Sequence, residues 1–249
     1  MRIPRLYSDQ TLAVGSIGEL KDNTAHYIHN VLRMDSGRPI LLFNGTGGEY
    51  SANLIRVSKK IVTFEVTGFI EGDRESKLHS HLAIGISRGD KMDFVLQKAT
   101  ELGVSAITPL VTERTEVKLS GERLQKKMQH WQQVVISACE QSQRNILPVI
   151  HSPQTFSAFV LDAVEKNIHS SRLILHPGET NFSIQAAPLQ SHAILLVGPE
   201  GGFSDIEVEE SGEKGFMTWT LGPRILRTET APIAALSVLQ QCWGDWGNG

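Results

Sequence analysis

The stretch Val197–Glu207 reads VGPEGGFSDIE and combines the end of an apolar run, a glycine-rich turn and a helix-start signal. Ser204 and Glu207 have the S-x-x-E spacing of a capping box, which predicts a helix beginning there. Glycines let backbone approach a ligand closely, and α/β proteins bind ligands at loops that follow parallel strands. The stretch therefore predicts a ligand-binding loop, with a tight strand-to-helix turn that binds nothing as the alternative.

The same loop lacks the residues that hold nucleotide phosphates. A P-loop needs Gly-Lys-Ser/Thr, whereas Gly202 is followed by Phe203, and the G-x-G-x-x-G spacing is absent. The charged residue of the turn is an acid, Glu200. We therefore expect an uncharged or cationic ligand rather than a nucleoside polyphosphate.

A second candidate loop is Leu221–Ala231, with the sequence LGPRILRTETA. It follows another predicted strand and contains a Gly-Pro turn, two arginines and an Ile-Leu pair. Thr230 is predicted to be the N-cap of a helix with Pro232 in its first turn. The two loops are expected to converge on one pocket, unless this one is an ordinary connection with solvated arginines.

Two glutamates lie near the C-terminal ends of predicted helices, where the helix dipole disfavours negative charge. Each is therefore expected to have a cationic partner. Glu101 and Glu140 are these residues, and Arg114 and Arg144 are the candidate partners. Structural ion pairing is favoured over catalysis for both glutamates. The nine histidines and two cysteines show no metal-ligand spacing, no C-x-x-C pair and no G-x-S-x-G elbow. We therefore expect no metal site and no hydrolase nucleophile.

The elements that position these residues change character near residues 68–80. Before this linker, predicted strands at 39–43, 49–56 and 61–66 form an antiparallel meander typical of a small barrel, interrupted by a helix at 22–33. After it, strands and helices alternate, which predicts an α/β domain with a mainly parallel sheet. The predicted domains are 1–72 and 73–249.

The composition and charge of the chain exclude some classes of protein. The chain has 249 residues, 40% of them hydrophobic, a net charge of −3 and a pI near 6.3. This excludes disorder and does not suggest a strongly basic nucleic-acid binder. No apolar run is long enough to span a membrane and no secretory signal opens the sequence, so we expect a cytoplasmic protein.

Four motifs in register resemble the RsmE-type ribosomal RNA uridine-N3 methyltransferases. They are GPEGGF at 198–203, LGPRILRTETA at 221–231, ELGV at 101–104 and EQSQR at 140–144. HNVLRM at 29–34 and LFNG at 42–45 fit the RNA-binding domain of that family. The resemblance covers nearly the whole chain. It implies a C-terminal SPOUT-type domain with a deep trefoil knot, an N-terminal PUA-like barrel and a homodimer.

The resemblance also implies the chemistry. The cofactor is expected to be S-adenosyl-L-methionine, and the substrate N3 of a uridine in 16S ribosomal RNA or the small ribosomal subunit. The implied cofactor contacts are Leu175, His176, Pro177, Gly178, Gly198, Pro199, Glu200, Gly201, Leu221, Gly222, Ile225, Leu226, Thr230 and Ala231. The catalytic candidates are Arg227 and Arg114, which stabilise the uracil anion, with Glu229 or Glu200 as the base.

RNA contacts require cations, since phosphates supply most of the affinity. Residues 1–72 hold eight Lys and Arg against seven Asp and Glu, so this part is slightly basic. The RNA-binding candidates are Arg2, Arg5, Arg33, Arg38 and Arg144. Two alternatives compete with the enzyme: a non-catalytic RNA-binding ribosome-assembly factor, and a metabolite-binding α/β enzyme without RNA affinity.

Overall fold

A computed structural model describes residues 3–72, 74–166, 170–178 and 182–247. The chain forms two compact units. The first comprises residues 1–75 together with 139–147, and the second comprises 76–138 and 148–249. The segment 139–147, which the sequence placed in the second domain, therefore belongs to the first compact unit.

The first unit is built on a five-stranded sheet with strand order β1-β3-β4-β5-β2. Its strands are β1 (Arg5–Tyr7), β2 (Ile17–Lys21), β3 (Pro39–Phe43), β4 (Glu49–Val57) and β5 (Ile61–Ile70). The predicted antiparallel meander is confirmed for β3, β4 and β5, while β1 pairs with β3 in parallel. Alternate residues such as Ala52 and Leu54 are buried, because successive side chains of a strand point to opposite faces.

The predicted helix at 22–33 is present but has two parts. Helix α1 (Asp22–His26) continues as a π-helical segment, Tyr27–Val31. Ala25 and Ile28 are completely buried in the core of this unit. Their spacing of three residues places both on one helix face, and this face fixes the helix against the sheet.

The second unit contains a seven-stranded sheet whose order is β12-β10-β11-β6-β7-β8, with β9 also paired to β7. Its strands are β6 (His79–Gly85), β7 (Ala106–Val111), β8 (Val149–Ile150), β9 (Gln154–Thr155), β10 (Ser171–Leu175), β11 (His192–Val197) and β12 (Met217–Trp219). All the pairs are parallel. The predicted α/β architecture is thus confirmed, and the knot stays a prediction.

Helices connect these strands. They are α2 (Lys91–Glu101), α3 (Gly121–Ser142), α4 (Phe156–Lys166), α5 (Asp205–Glu213) and α6 (Thr230–Cys242). Met92, Val95 and Leu96 of α2 are buried at the predicted helical spacing. Gly103 has a φ of +82°, as expected of the glycine that follows the last helical turn.

Strand β11 is central to this sheet, between β10 and β6. Five of its six residues are buried, because a parallel strand is covered on both faces. Since β12, β10 and β11 are adjacent and parallel, the loops that follow them lie at one edge of the sheet.

Candidate functional site

Three loops meet at the carboxyl edge of the parallel sheet. The Thr220 hydroxyl, after β12, donates to the backbone carbonyls of His176 and Gly178, at 3.0 and 3.1 Å. The Thr228 hydroxyl, farther along the same connection, donates to the carbonyl of Gly198 at 2.9 Å. The loop after β12 is therefore bound to the loop after β10 and to the loop after β11. This arrangement brings together the two loops that were predicted to converge and the segment at 176–178 that the family resemblance implied as a further cofactor contact.

Gly198 is required by close backbone packing. A Cβ atom at this position would lie 2.9 Å from the backbone of Gly202. Gly202 has a φ of +68°, and its N–H donates to the carbonyl of Pro199 at 2.9 Å. The loop thus turns back on itself in a way that a side chain at Gly198 would prevent.

The predicted capping box at the start of α5 is confirmed. The Ser204 hydroxyl accepts from the N–H of Glu207, and the Glu207 carboxylate accepts from the N–H of Ser204 at 2.9 Å. The other oxygen of Glu207 accepts from the N–H of Glu113 at 2.9 Å. Glu207 therefore joins the loop after β7 to the end of the glycine-rich loop.

Arg114 lies in that loop after β7 and reaches the glycine-rich loop of its own chain. Its guanidinium donates to the carbonyl of Gly201 at 2.9 Å. A Cβ atom on Gly201 would lie 3.0 Å from the Arg114 Cβ, so the arginine stem packs on this glycine. The expected ion pair between Arg114 and Glu101 is wrong, because Glu101 pairs with Lys98 on its own helix at 2.9 Å.

Glu200 is held by two donors from the start of α2. Lys91 Nζ and the N–H of Arg88 both donate to Oε1, at 3.1 and 3.2 Å. Burial raises the pKa of the Glu200 carboxyl, but hydrogen bonds from its own amide, Lys91 and Arg88 outweigh burial and lower it overall. A carboxylate held in its charged form is a poor proton acceptor, so this geometry favours a role in fixing the loop.

Helix α6 begins at Thr230, one residue earlier than the predicted N-cap implied. Glu229, not Thr230, is the N-cap, and its side chain makes no capping hydrogen bond. Its Oε2 atom is buried and has no hydrogen-bond partner among the residues that the structure describes. A buried, unpaired carboxylate oxygen is costly and suits an atom that hydrogen-bonds a ligand or a reacting proton.

Other side chains of the loop between β12 and α6 are exposed to solvent. Arg227 is exposed, and Ile225 is 88% exposed. The carbonyl of Arg227 accepts from the N–H groups of Thr230 and Ala231, which sets the first turn of α6. The side chain of Arg227 makes no hydrogen bond to any described residue, so its guanidinium is available to a substrate.

The first unit holds a separate polar cluster around Arg5. The Arg5 guanidinium pairs with Glu49 at 2.9 Å and donates to the carbonyls of Cys139 and Arg144 at 2.9 and 2.8 Å. Its side chain is only 6% exposed and lies over the ring of Phe43. Burial lowers the pKa of Arg5 against the opposing effect of Glu49. A guanidinium with these partners cannot reach a phosphate, so Arg5 is corrected to a structural residue.

Arg144 is corrected in the same way. Its guanidinium donates to Glu75 at 2.5 and 2.9 Å, and its side chain is 6% exposed. Glu140, the predicted partner of Arg144, instead accepts from the N–H of Tyr7 at 3.0 Å, and burial raises its pKa. The EQSQR motif thus stabilises the first unit.

Of the other RNA-binding candidates, Arg33 and Arg38 are exposed in the first unit. Arg2 lies outside the described residues.

No group of three metal-ligating side chains occurs among the described residues. In the same part of the chain, every helix is too short or too polar to cross a bilayer.

Sequence reasoning missed the residues that hold the loops in place. Thr220, Thr228 and Lys91 donate hydrogen bonds across sequence separations of 30 to 109 residues. No local pattern distinguishes such a threonine or lysine from a solvated one. Their partners are set by strand order, which places loops distant in sequence side by side.

Comparison with known proteins gives a consistent result. Residues 74–240 match a family model described as an RNA methyltransferase domain, and residues 20–67 match one described as an RNA methyltransferase PUA domain. The chain is 36% identical over 245 residues to ribosomal RNA small subunit methyltransferase E of Buchnera aphidicola subsp. Schizaphis graminum, covering 98% of each protein.

Two solved structures are similar over almost the whole chain. A Legionella pneumophila protein in complex with the cofactor SAM has a TM-score of 0.93 and 42% identity, with coverage of 98% of this chain and 100% of that one. Ribosomal RNA small subunit methyltransferase E from Neisseria gonorrhoeae, bound to S-adenosyl methionine, has a TM-score of 0.89 and 38% identity, with the same coverage.

Proposed function

The chain belongs to the ribosomal RNA small subunit methyltransferase E family, and from this premise we propose that it methylates N3 of a uridine in 16S ribosomal RNA with S-adenosyl-L-methionine. The observation that carries the proposal is the joining of three loops at the carboxyl edge of the sheet through Thr220 and Thr228. The residues present suit this cofactor: glycine backbone at 198–202, no phosphate-binding lysine motif, and the unpaired Oε2 of Glu229.

We propose that the three loops hold the cofactor mainly through backbone groups. The loop after β10 contributes 175–178, the glycine-rich loop 198–201, and the loop after β12 its apolar and backbone groups at 221–226 and 230–231. S-adenosyl-L-methionine supplies an electrophilic methyl group on a positively charged sulfur. The chain's own task is to exclude water and to hold the uracil so that N3 lies in line with that methyl group.

N3 of uracil carries a proton and becomes nucleophilic when this proton leaves. We propose Glu229 as the acceptor, because its Oε2 is buried without a partner, whereas Glu200 is held by Lys91. Arg227 stabilises the negative charge that spreads onto the uracil oxygens. Arg114 stabilises the loop through Gly201 and supplies a second cation to the same region.

We also propose that residues 1–72 bind RNA, whereas residues 73–249 bind the cofactor and catalyse methyl transfer.

The enzyme acts in the cytoplasm as a homodimer with sites completed across the interface. Exposed apolar side chains of the second unit, such as Phe94 and Ile206, at 46% and 71%, are consistent with such an interface. Sedimentation equilibrium tests this state, and a monomer at all concentrations contradicts it.

The direct test is incubation of the protein with cofactor and small ribosomal subunits that lack uridine N3 methylation, followed by nuclease digestion and mass mapping of 16S RNA. We expect one new N3-methyluridine. Calorimetric titration with S-adenosyl-L-methionine is the control for a competent site. Cofactor binding without methylation of either free 16S RNA or subunits contradicts the proposed substrate, and no binding by folded protein favours the non-catalytic assembly factor.

A further inference from the structure

We propose that the first unit binds single-stranded RNA on a surface formed by the π-helical segment and the turn between β4 and β5. Its members, called here the Tyr27 surface, are Tyr27, Arg33, Lys59 and Lys60. Tyr27 stacks on an unpaired base, and the three cations bind neighbouring phosphates. The inference rests on the proposed function, which gives RNA as the class of ligand. It specifies which surface of the first unit binds the RNA and through which contacts.

The helix presents an aromatic side chain to solvent. Ala25 and Ile28 face the core and are fully buried, whereas Tyr27 and Val31 lie on the other side and are 43% and 61% exposed. An exposed tyrosine ring offers a flat face that a base can cover, and stacking of this kind accepts any base. The side chain of Tyr27 has no hydrogen-bond or ring partner among the described residues.

The backbone around Tyr27 departs from regular helix. The N–H of Leu32 donates to the carbonyl of Tyr27 at 2.9 Å, the five-residue spacing of a π-helix. Arg33 follows with a φ of +50°, a left-handed conformation that is unfavourable for a side-chain-bearing residue. Such irregular backbone is concentrated at functional sites. Here it ends the helical segment, and the exposed Arg33 lies just beyond that end, six residues after Tyr27.

The turn between β4 and β5 supplies two more cations next to this helix. Lys59 and Lys60 are exposed and make no ion pair with any residue in the described ranges. The N–H of Asp22, the first residue of α1, donates to the carbonyl of Lys60 at 3.3 Å. A helix rises about 1.5 Å per residue, so Tyr27 lies only about 8 Å along the axis from Asp22.

Charge favours RNA as the occupant. Residues 19–35 and 56–61 carry five Lys and Arg against three Asp and Glu, with Lys21 paired to Glu19, in a chain whose net charge is −3. A local excess of cations around an exposed aromatic ring is the combination that single strands require, with phosphates bound by charge and bases by stacking. Duplex RNA keeps its bases paired and stacked, so it cannot use Tyr27.

The test measures binding of the full-length protein to a fluorescent oligouridine of about 12 nucleotides, a length within the range covered by small single-strand-binding folds. Tyr27→Leu removes the ring, and we expect affinity to fall about 5- to 10-fold. Tyr27→Phe keeps the ring and is expected to bind within about 2-fold of the parent chain. Thermal unfolding verifies that both variants are folded.

A second variant tests the phosphates independently. For K59Q/K60Q we expect the slope of log affinity against log salt to fall by about 1.4, since each phosphate contact with a single strand contributes about 0.7. Lys126→Gln, an exposed lysine of the second unit, is the matched control and leaves the slope unchanged. Normal calorimetric binding of S-adenosyl-L-methionine by every variant separates this surface from the cofactor site.

Three results overturn the inference. They are unchanged oligouridine binding by Tyr27→Leu, an unchanged salt slope for K59Q/K60Q, and binding of a duplex of equal length as tight as that of the single strand. None of them bears on methyl transfer, which the mass-mapping experiment tests separately.

Discussion

Thr228 Oγ1 donates to the carbonyl of Gly198 at 2.9 Å and joins the connection before α6 to the glycine-rich loop. The two residues are 30 positions apart and follow different strands. Because the loops are bound to each other, their backbone groups keep a fixed relative position for a cofactor.

The first prediction concerns this hydrogen bond. Thr228→Val keeps the shape of the side chain and leaves the Gly198 carbonyl without its donor, so affinity for S-adenosyl-L-methionine should fall about 10-fold. Thr228→Ser retains the hydroxyl and should bind within about 2-fold of the parent chain. Calorimetric titration measures both, and equal affinity of all three proteins contradicts the role given to Thr228.

The second prediction separates two glutamates. Glu229→Gln should lower kcat about 100-fold or more, because general base catalysis contributes about 10²- to 10⁴-fold. Glu200→Gln removes a carboxylate already bound by Lys91, so it should mainly raise the KM for the cofactor. Steady-state methylation of small subunits measures these constants. A larger kcat loss for Glu200→Gln reverses the assignment.

The third prediction concerns the two arginines of one loop. Arg227→Ala should lower kcat about 100-fold while the Kd for the cofactor changes less than about 2-fold, because its charge acts on the uracil anion. Arg224→Ala is the matched control, since this arginine is exposed in the same loop. Equal losses of kcat and cofactor affinity in Arg227→Ala indicate a role in the pocket instead.

The fourth prediction tests close backbone packing. A methyl group at Gly198 would lie 2.9 Å from the backbone of Gly202, so Gly198→Ala must distort the loop. We expect about 100-fold weaker cofactor binding, together with about 1–3 kcal/mol of lost stability. Gly212→Ala is the control, because open space surrounds this glycine within helix α5, and it should stabilise by about 0.5–1 kcal/mol. Chemical denaturation and calorimetry compare the two.

The fifth prediction is a pH dependence of stability. Burial lowers the pKa of His81 to about 4, with a further decrease from the charge of His151. In the unfolded chain the histidine has an ordinary pKa near 6.5. As the pH falls, it is therefore protonated before the same histidine in the folded protein. Stability is therefore retained above about pH 6.5 and lost by about 3 kcal/mol as pH falls to about 4.

His81→Gln should remove this part of the acid sensitivity. Urea unfolding at several pH values measures the difference between the variant and the parent chain. His26→Gln, at an exposed histidine of the first unit, is the matched control substitution. An identical acid slope for His81→Gln and the parent would show that His81 titrates normally in the folded protein.

The sequence by itself predicted most of the strands and helices and indicated where the candidate site lies. Local signals sufficed for this: the strand 106–111 and the capping box of Ser204 and Glu207 are found as predicted. Alternation of strands and helices was enough to predict a parallel sheet. The glycine-rich loop could be recognised from its residue types, because close packing of one backbone segment against another requires glycine.

Only the tertiary structure decided which side chains serve as partners. Arg5 and Arg144 have the residue type of RNA contacts, yet both are buried in the first unit, because 139–147 packs there. Lys91 and Thr228 gave no signal in the sequence. Their partners are fixed by strand order, which brings together residues far apart in the chain, and such neighbours cannot be inferred from local composition.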